Sequence, residues 1–384
     1  MKKYSFTFFL VMFLIGTDTF LISPLLPTLS RLYGITASLS GWLVSAYAIG
    51  YAVFALISGP FSDGRNRKKV MMFGFAGFAL ATFLCAFATS FVLMLIFRFL
   101  AGVAASFVTP QVWAMIPLIA PKNQVVKMIG FASSGLALAQ IAGVPLGSFL
   151  ATVNWRTPFV LISFCTVLLF FLVGKFLPTS SATKQANKGF ISIYKVILNN
   201  KKAVNFLIGY LIFQTGNFTV FIFIGTWFSH QFHLDLSQVG ASMMILGLGQ
   251  FVGSTFGNKI INRLGLAKSL WMALLTLCIL YLILPWLSSL VFILSFLALI
   301  FVVNGFIFPV FMALLQTTTE TARSTVSSLS NAAMYAGTTL AGLIGGSLFT
   351  HFPHFLGIAY FVIFTYLIAL SIYKYSGLFR GKIY

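Results

Sequence analysis

Charged side chains are scarce in this sequence, and acidic ones are almost missing. Of the 384 residues only 7% are charged, whereas about a quarter of an average soluble domain is charged. So few charges cannot cover a surface that faces water, which excludes a soluble enzyme. Because 59% of the residues are hydrophobic, the remaining class is an integral membrane protein.

Cysteine is scarce as well. Cys85, Cys165 and Cys278 all lie in apolar stretches and show no paired spacing, so neither a disulfide framework nor a zinc site is predicted. Nothing in the sequence resembles a nucleotide-binding loop, which argues against ATP as an energy source. We therefore expect no metal, no cofactor and no enzymatic activity.

Long apolar runs, in contrast, are abundant. Crossing a bilayer as a helix takes about 20 apolar residues, and the sequence holds twelve such runs, which predicts an all-α membrane protein. The first run follows Lys2 and Lys3 without a cleavage site of small residues, so we interpret it as a span rather than a signal peptide. The predicted spans are residues 5–27, 39–61, 70–89, 91–115, 127–150, 158–177, 203–228, 237–260, 268–287, 290–314, 324–349 and 354–375.

The distribution of lysine and arginine predicts the orientation. A net charge of +20 could indicate a nucleic-acid partner, but the basic residues lie in the gaps between apolar runs. All but three of the 24 basic residues fall on the same side as both termini, the exceptions being Arg31, Arg156 and the intramembrane Arg98. Because basic residues concentrate in cytoplasmic loops, we expect both termini in the cytoplasm, a bacterial cell membrane location and no nucleic-acid partner.

An internal repeat divides the chain into two halves. We predict a six-helix bundle at 1–177, a cytoplasmic linker at 178–202 and a second bundle at 203–384. Apolar residues at helical spacing in the linker, such as Phe190 and Ile193, also allow a short helix on the membrane surface. Parallel halves of this kind are a transporter architecture, with the substrate site between them. A shift of 199 residues aligns Asp18 with Asn217, Gly50 with Gly249, Pro110 with Pro309, Gly143 with Gly342, and Gly147 with Gly346.

The connection between the second and third runs carries the sequence GPFSDGRNRKK at residues 59–69. This segment resembles the G-x-x-x-D-x-x-x-R-[KR] loop of the major facilitator superfamily, although Gly64 and Asn66 depart from the usual pattern. The resemblance implies the major facilitator fold, twelve helices in two pseudo-symmetric bundles of six. It also implies that conformational gating, rather than substrate binding, is the role of Gly59, Asp63, Arg67 and Lys68.

Two further elements narrow the resemblance. Residues 98–102, RFLAG, resemble the family's R-x-x-x-G element, and Gly143, Pro145 and Gly147 resemble the antiporter motif G-x-x-x-G-P-x-x-G-G of exporters. Here the Gly-Pro pair is spread to Gly-Val-Pro, and Ser148 replaces the last glycine. This form is similar to the drug:proton antiporter branch that includes arabinose efflux permeases and the bicyclomycin and chloramphenicol exporters, which implies proton-coupled efflux.

Asp18 is the only acid deep inside a predicted span, since Asp63 and Glu320 lie at span ends and Asp235 lies in a connection. A charged Asp in the bilayer costs about 2.5–3.5 kcal/mol, and such residues tend to be functional. Arg98 is the only base deep inside a predicted span, and both side chains lie roughly 12 Å below the same surface at 1.5 Å per residue. We predict that Asp18 and Arg98 pair and couple protons to transport; a static ion pair is the alternative.

Other polar and aromatic residues inside the predicted spans are candidates for lining a substrate cavity. Hydrogen bonding between helices is the alternative for each of them. Asn217 is of interest because the repeat places it at the position of Asp18. The predicted substrate-binding residues are Tyr47, Gln111, Trp113, Gln140, Asn217, Asn331 and Tyr335.

Together these features predict a monomeric exporter that exchanges protons for small amphipathic compounds such as drugs. A dedicated exporter of sugars, nucleosides, amino-acid derivatives or metal chelators would have the same fold and remains the alternative. A proton-coupled importer is disfavoured by the antiporter element, and a non-transporting receptor would not need a buried acid–base pair. The expected partners are protons, a small-molecule substrate and the lipid bilayer.

Overall fold

The computed structural model describes residues 2–62, 65–121, 124–179, 194–195, 197–318 and 323–378. Within these ranges the chain is helical and contains no β-strand. A π-helix occupies Ala139–Gly143 and a 3₁₀-helix Leu284–Trp286. The α-helices are Lys2–Tyr33, Ala37–Ser40, Trp42–Ser62, Arg67–Cys85, Phe91–Ser106, Thr109–Ile119, Val125–Leu138, Val144–Val153, Thr157–Phe176, Lys201–Gln231, Leu236–Ile283, Leu290–Gln316, Arg323–His351 and Leu356–Tyr375.

These helices form twelve segments long and apolar enough to cross a membrane, which confirms the predicted number of spans. With twelve spans, the first span begins and the last span ends on the same side, here called the termini side. The connections at 34–36, 154–156, 232–235 and 352–355 lie on the opposite side, the far side. Spans 1 to 12 are, in order, Lys2–Tyr33, Ala37–Ser58, Arg67–Cys85, Phe91–Ile116, Met128–Val153, Thr157–Phe176, Lys201–Gln231, Leu236–Gly257, Arg263–Trp286, Leu290–Gln316, Ser328–His351 and Leu356–Tyr375.

Three irregular features of the span helices have identifiable backbone causes. Span 1 continues through Pro24 and Pro27, because in a membrane neighbouring helices can satisfy the carbonyls that a proline leaves free. Span 4 is interrupted at residues 107–108, just before Pro110, which cannot continue the preceding helix. The helix through spans 8 and 9 is broken at Gly265, whose φ of 75° is a left-handed conformation that favours glycine.

Spans 1–6 and spans 7–12 form two bundles with matching internal packing. Span 1 packs on span 5 as span 7 packs on span 11, and span 2 packs on span 4 as span 8 packs on span 10. The span 8 contact uses a ridge of Gly249, Gly253 and Gly257, where a side chain on Gly257 would come within 2.8 Å of Phe306. The 199-residue repeat and the glycine spacing predict this arrangement.

The two bundles meet along the middle and the far half of their spans. Spans 2 and 11, 5 and 8, and 1 and 7 form the contacts between the halves. The Ser45 hydroxyl donates to the Thr339 carbonyl at 2.8 Å, and the Ser23 hydroxyl donates to the Ile222 carbonyl at 3.0 Å. A side chain on Gly342 would come within 2.5 Å of the Gly41 carbonyl oxygen, so the two backbones are in direct contact. The far sides of the halves are thus closed against each other.

Candidate functional site

A buried ion pair lies at the centre of the N-terminal bundle. Arg98 Nη1 of span 4 donates to Asp18 Oδ2 of span 1 at 2.8 Å, and both side chains are 1% exposed. The contact that equal depth and opposite charge predict is therefore present. Its role in proton coupling stays a prediction.

The Asp18–Arg98 pair forms fewer hydrogen bonds than its deeply buried polar atoms could make. An arginine and a carboxylate often form two parallel hydrogen bonds, yet here a single bond joins them. Within the described part of the chain, Asp18 Oδ1 and Arg98 Nε and Nη2 are buried without a hydrogen-bond partner. Leaving such a group unpaired costs about 1–3 kcal/mol, and apolar residues often stabilise a core as well as a buried ion pair does. The pair therefore leaves three polar atoms, Asp18 Oδ1 and Arg98 Nε and Nη2, able to form further hydrogen bonds.

A layer of tyrosines joins this pair to the other half of the protein. The Arg98 guanidinium lies 4.5 Å from the centre of the Tyr47 ring, whose hydroxyl accepts a hydrogen bond from Thr19 at 3.3 Å. Tyr51 lies one turn further along span 2 and stacks on Tyr335 of span 11, with ring centres 3.8 Å apart. Tyr335 also lies 6.3 Å from the Tyr47 ring. The ion pair and the span 2–span 11 interface therefore share one aromatic layer.

The antiporter-like segment packs on span 1 on both sides of Asp18. Pro145 has no N–H to donate and crowds the carbonyl four residues earlier, and the preceding turn widens into the π-helix Ala139–Gly143. A side chain on Gly143 would overlap Thr17, and one on Gly147 would come within 2.6 Å of Leu21. π-Helical turns are frequent at functional sites. Span 5 therefore has its irregular turn where it meets the helix that carries Asp18.

The opposite face of the same segment contacts the second bundle. A side chain on Gly240 of span 8 would come within 2.7 Å of Ser148, and one on Gly247 within 3.1 Å of Gln140. Gln140 lies inside the π-helix and is 9% exposed. Span 5 thus contacts both span 1, which carries Asp18, and span 8 of the second bundle.

The remaining predicted substrate-binding residues fall into separate groups. Asn217 Nδ2 donates to Gln214 Oε1 at 3.3 Å, and Gln214 Nε2 donates to the Tyr210 hydroxyl at 2.9 Å, so these three form a ladder on span 7. Gln111 is fully buried, and neither atom of its amide finds a partner among the described residues. Trp113 and Asn331 are only partly buried.

Comparison with known proteins identifies the family. The major facilitator superfamily model matches residues 8–342 and 206–377. The chain is also 45% identical over 368 residues to the uncharacterized MFS-type transporter YceJ of Bacillus subtilis (strain 168), which covers 96% of this chain and 94% of that protein. The chain belongs to the major facilitator superfamily. It is therefore a membrane transporter by family.

Two more distant similarities extend this result. The quinolone resistance protein NorA of Staphylococcus aureus is 29% identical to this major facilitator transporter over 172 residues, 45% of this chain and 44% of NorA. The crystal structure of a D-xylose–proton symporter superposes with a TM-score of 0.78 at 17% identity, covering 97% of both chains. The second similarity establishes the fold and carries no information on the substrate.

The superfamily loop after span 2 is only partly described. Asp63 lies outside the described residues, and for Gly59 only the backbone is described, in the helix that ends at Ser62. The Asn66 side chain caps the helix of span 3 by accepting from the Lys68 and Lys69 amides at 3.1 and 3.3 Å. Asn66, one of the two departures from the family pattern, thus has a local structural role as a helix cap.

The other two members of the predicted gating motif differ in their surroundings. Lys68 Nζ donates to the carbonyls of Gly174 and Leu177 at 2.7 and 2.8 Å, which ties span 3 to the end of span 6. Such a cation at a helix C-terminus satisfies free carbonyls and opposes the helix dipole. Arg67 is partly buried at the start of the same helix. Both residues lie at the start of span 3, on the termini side, and their gating role stays a prediction.

Sequence reasoning missed two residues of the tyrosine layer, Thr19 and Tyr51. Tyr51 follows Tyr47 by four residues, so the two share one helix face, and this spacing could have indicated it. Thr19 adjoins Asp18, but its partner is on another span. Only the folded arrangement reveals that contact.

Proposed function

We propose that this transporter is a proton-coupled exporter of small amphipathic or lipophilic compounds, drugs among them, and that it works by alternating access. The observation that carries the proposal is the buried, singly bonded pair of Asp18 and Arg98. A carboxylate inside the bilayer is costly to keep and takes up a proton when its positive partner moves away. It can therefore exchange a proton for a substrate.

The proposed cycle uses both charge states of Asp18. When the site faces outward, Asp18 takes up a proton, its bond to Arg98 weakens and the substrate leaves. When the site faces inward, an arriving substrate displaces the proton. During the protonated stage the Tyr47 ring still faces the Arg98 guanidinium, and a desolvated cation–π contact stabilises such a cation by about 2 kcal/mol.

Two structural connections support coupling between the Asp18–Arg98 pair and the movement of the two bundles relative to each other. The first is the aromatic layer, because Tyr335 of the second half stacks directly on the helix that carries Tyr47. The second is span 5, which contacts span 1 through Gly143 and span 8 through Gln140. A shift of Arg98 or of span 1 would therefore reach both interfaces between the halves.

The substrate class is supported by chemistry and by one similarity. A single intramembrane acid suits neutral or cationic substrates, and the spans are rich in aromatic residues, which make up 17% of the chain. NorA, to which part of the chain is similar, is a quinolone resistance protein. On these grounds we favour drug-like compounds over a narrow metabolite class.

The proposal includes an orientation and a location. The bias of basic residues places the termini side in the cytoplasm of a bacterial cell and the far side outside. In that orientation the structure, closed at the far side, is closed toward the outside. We further propose that one chain is the working unit, with bundles at 1–177 and 203–384. Most of the linker at 178–202 lies outside the described residues.

Everted membrane vesicles provide the test. Respiration acidifies their interior, and a pH-quenched dye reports proton release when a substrate is exchanged for protons. We expect lipophilic cations or neutral antibiotics to release protons from vesicles that contain the protein and not from vesicles without it. If no compound of such a panel releases protons from vesicles that contain the protein, drug-like compounds are not its substrates. That result would favour a dedicated metabolite exporter.

The aromatic layer yields a separate prediction about conformation. An aromatic stack contributes about 0.5–1.5 kcal/mol, so Tyr335→Ala should shift the population toward an open far side by roughly 2–10-fold. Ser45→Cys, introduced after the three native cysteines are replaced by alanine, reports this opening because Ser45 is fully buried at the interface. In the Tyr335→Ala protein, a membrane-impermeant maleimide should label this introduced cysteine roughly 2–10-fold faster.

Matched variants show whether the effect belongs to the stack. Tyr335→Phe keeps the ring and should label at the original rate. Tyr360→Ala removes an exposed tyrosine from span 12 and should also leave the rate unchanged. Equal labelling of the Tyr335→Ala and Tyr360→Ala proteins would contradict a role for the aromatic layer.

A further inference from the structure

A group of lysines at the termini-side end of span 6 stands apart from the transport site. We infer that this lysine cluster, formed by Lys3, Lys68 and Lys175 around Phe176, binds the phosphate headgroup of an anionic lipid. The three lysines come from spans 1, 3 and 6. The cluster therefore lies where three spans of the N-terminal bundle end at the membrane surface.

The geometry brings the three ammonium groups to one helix end. Lys3 Nζ lies 5.6 Å from the centre of the Phe176 ring, and Lys175 Nζ lies 5.8 Å from the same ring. Lys68 Nζ donates to two carbonyls in this region, those of Gly174 and Leu177. Carbonyl contacts hold the Lys68 ammonium in place without cancelling its charge.

No carboxylate of the described residues neutralises this charge. Asp18 pairs with Arg98 deep in the bundle, and Asp235 caps the helix of span 8 on the far side. Three converging cations repel one another unless an anion lies between them. A lipid phosphate is an anion present at the membrane surface, and basic pockets between spans are known to bind anionic headgroups.

Apolar surface for an acyl chain lies next to the lysines. Phe6 follows Lys3 by three residues on span 1, so the two lie on the same helix face. The Phe6 side chain is 54% exposed, which leaves it available to the bilayer. A lipid with its phosphate at the lysine cluster could therefore place a chain along Phe6.

The internal repeat supplies a comparison within the same molecule. At a shift of 199 residues Lys3 corresponds to Lys202 and Lys175 to Lys374, while Phe176 and Lys68 correspond to Tyr375 and Ala267. In the second half, Lys202 lies over Phe206 of its own helix and Tyr375 is 87% exposed. The corresponding end of span 12 therefore lacks both the shared ring and the third lysine, so we assign the site to the N-terminal half alone.

Binding of this lipid is independent of transport and can be measured without a substrate. That the lipid belongs to the cytoplasmic leaflet rests on the proposed orientation, whereas binding itself does not. The purified full-length protein in detergent would be titrated with dioctanoyl phosphatidylglycerol and, separately, dioctanoyl phosphatidylcholine, with bound lipids counted by native mass spectrometry. We expect the anionic lipid to bind more tightly, and Lys3→Gln/Lys175→Gln to weaken it roughly tenfold or more.

The repeat provides the matched control. Lys202→Gln/Lys374→Gln removes the same charge from the equivalent positions and should leave phosphatidylglycerol binding unchanged. Lys3→Arg/Lys175→Arg should retain binding, which verifies that the glutamine variant loses charge rather than fold. Equal weakening in both glutamine pairs, or equal affinity of the wild type for the two lipids, would overturn the proposal. Competition by millimolar glycerol phosphate would also overturn it, in favour of a site for free anions.

Discussion

Replacement of Asp18 by asparagine should abolish proton-driven transport. Asparagine has nearly the same size and keeps an oxygen for the 2.8 Å bond to Arg98, but it cannot take up and release a proton. In everted vesicles we expect substrate-dependent proton release and uphill transport to fall to the background of vesicles without the protein. Downhill exchange of substrate should be less affected, because it needs no proton.

The same experiment separates a coupling role from a static ion pair. Removing one partner of a buried pair can cost about 3–5 kcal/mol, so Asp18→Asn alone could lower the amount of folded protein. Asp18→Asn/Arg98→Gln removes both charges and should restore folding. If the pair is only structural, this double variant regains proton-driven transport; if Asp18 carries the proton, it stays uncoupled.

An acid outside the ion pair provides the control for this experiment. Asp235→Asn changes the exposed acid that caps the helix of span 8, and asparagine caps equally well, so transport should stay within about twofold of the wild type. Full proton coupling in Asp18→Asn, at wild-type amounts in the membrane, would refute the role assigned to Asp18.

Much of the fold could be predicted from one-dimensional patterns. Twelve spans follow from run length, because the bilayer fixes how many apolar residues a helix needs. The contact between Asp18 and Arg98 follows from depth and from the rarity of charge in the spans, since no other intramembrane partner is available to either. Packing of Gly249 and its neighbours on span 10 follows from spacing on one helix face.

Other parts of the site depend on the three-dimensional arrangement. The stack of Tyr51 on Tyr335 joins residues from different halves, and no local pattern pairs them. The π-helix at Ala139–Gly143 is a response to Pro145 within a packed helix, and a proline alone does not decide between a kink, a break and a widened turn. The closed far side depends on how the two halves pack against each other, which no local sequence pattern specifies.

A covalent link across the closed far side should have the second large effect on transport. If the halves must separate there, a link between Ser45→Cys and Thr339→Cys should stop transport, because Ser45 Oγ lies 2.8 Å from the Thr339 carbonyl across the span 2–span 11 interface. The variant would be made after Cys85, Cys165 and Cys278 are replaced by alanine. A short bifunctional methanethiosulfonate reagent should reduce transport to background, and dithiothreitol should restore it.

A link of the same geometry inside one bundle controls for the chemistry. Ser163 Oγ of span 6 donates to the Ala79 carbonyl of span 3 at 2.7 Å, and both spans belong to the N-terminal half. Ala79→Cys/Ser163→Cys, treated identically, should transport at its untreated rate, because the proposed alternating access moves each bundle as a unit. Undiminished transport by the linked Ser45→Cys/Thr339→Cys protein would show that the far side need not open. Loss in both linked proteins would instead mean that movement of span 3 against span 6 within the N-terminal bundle is also required.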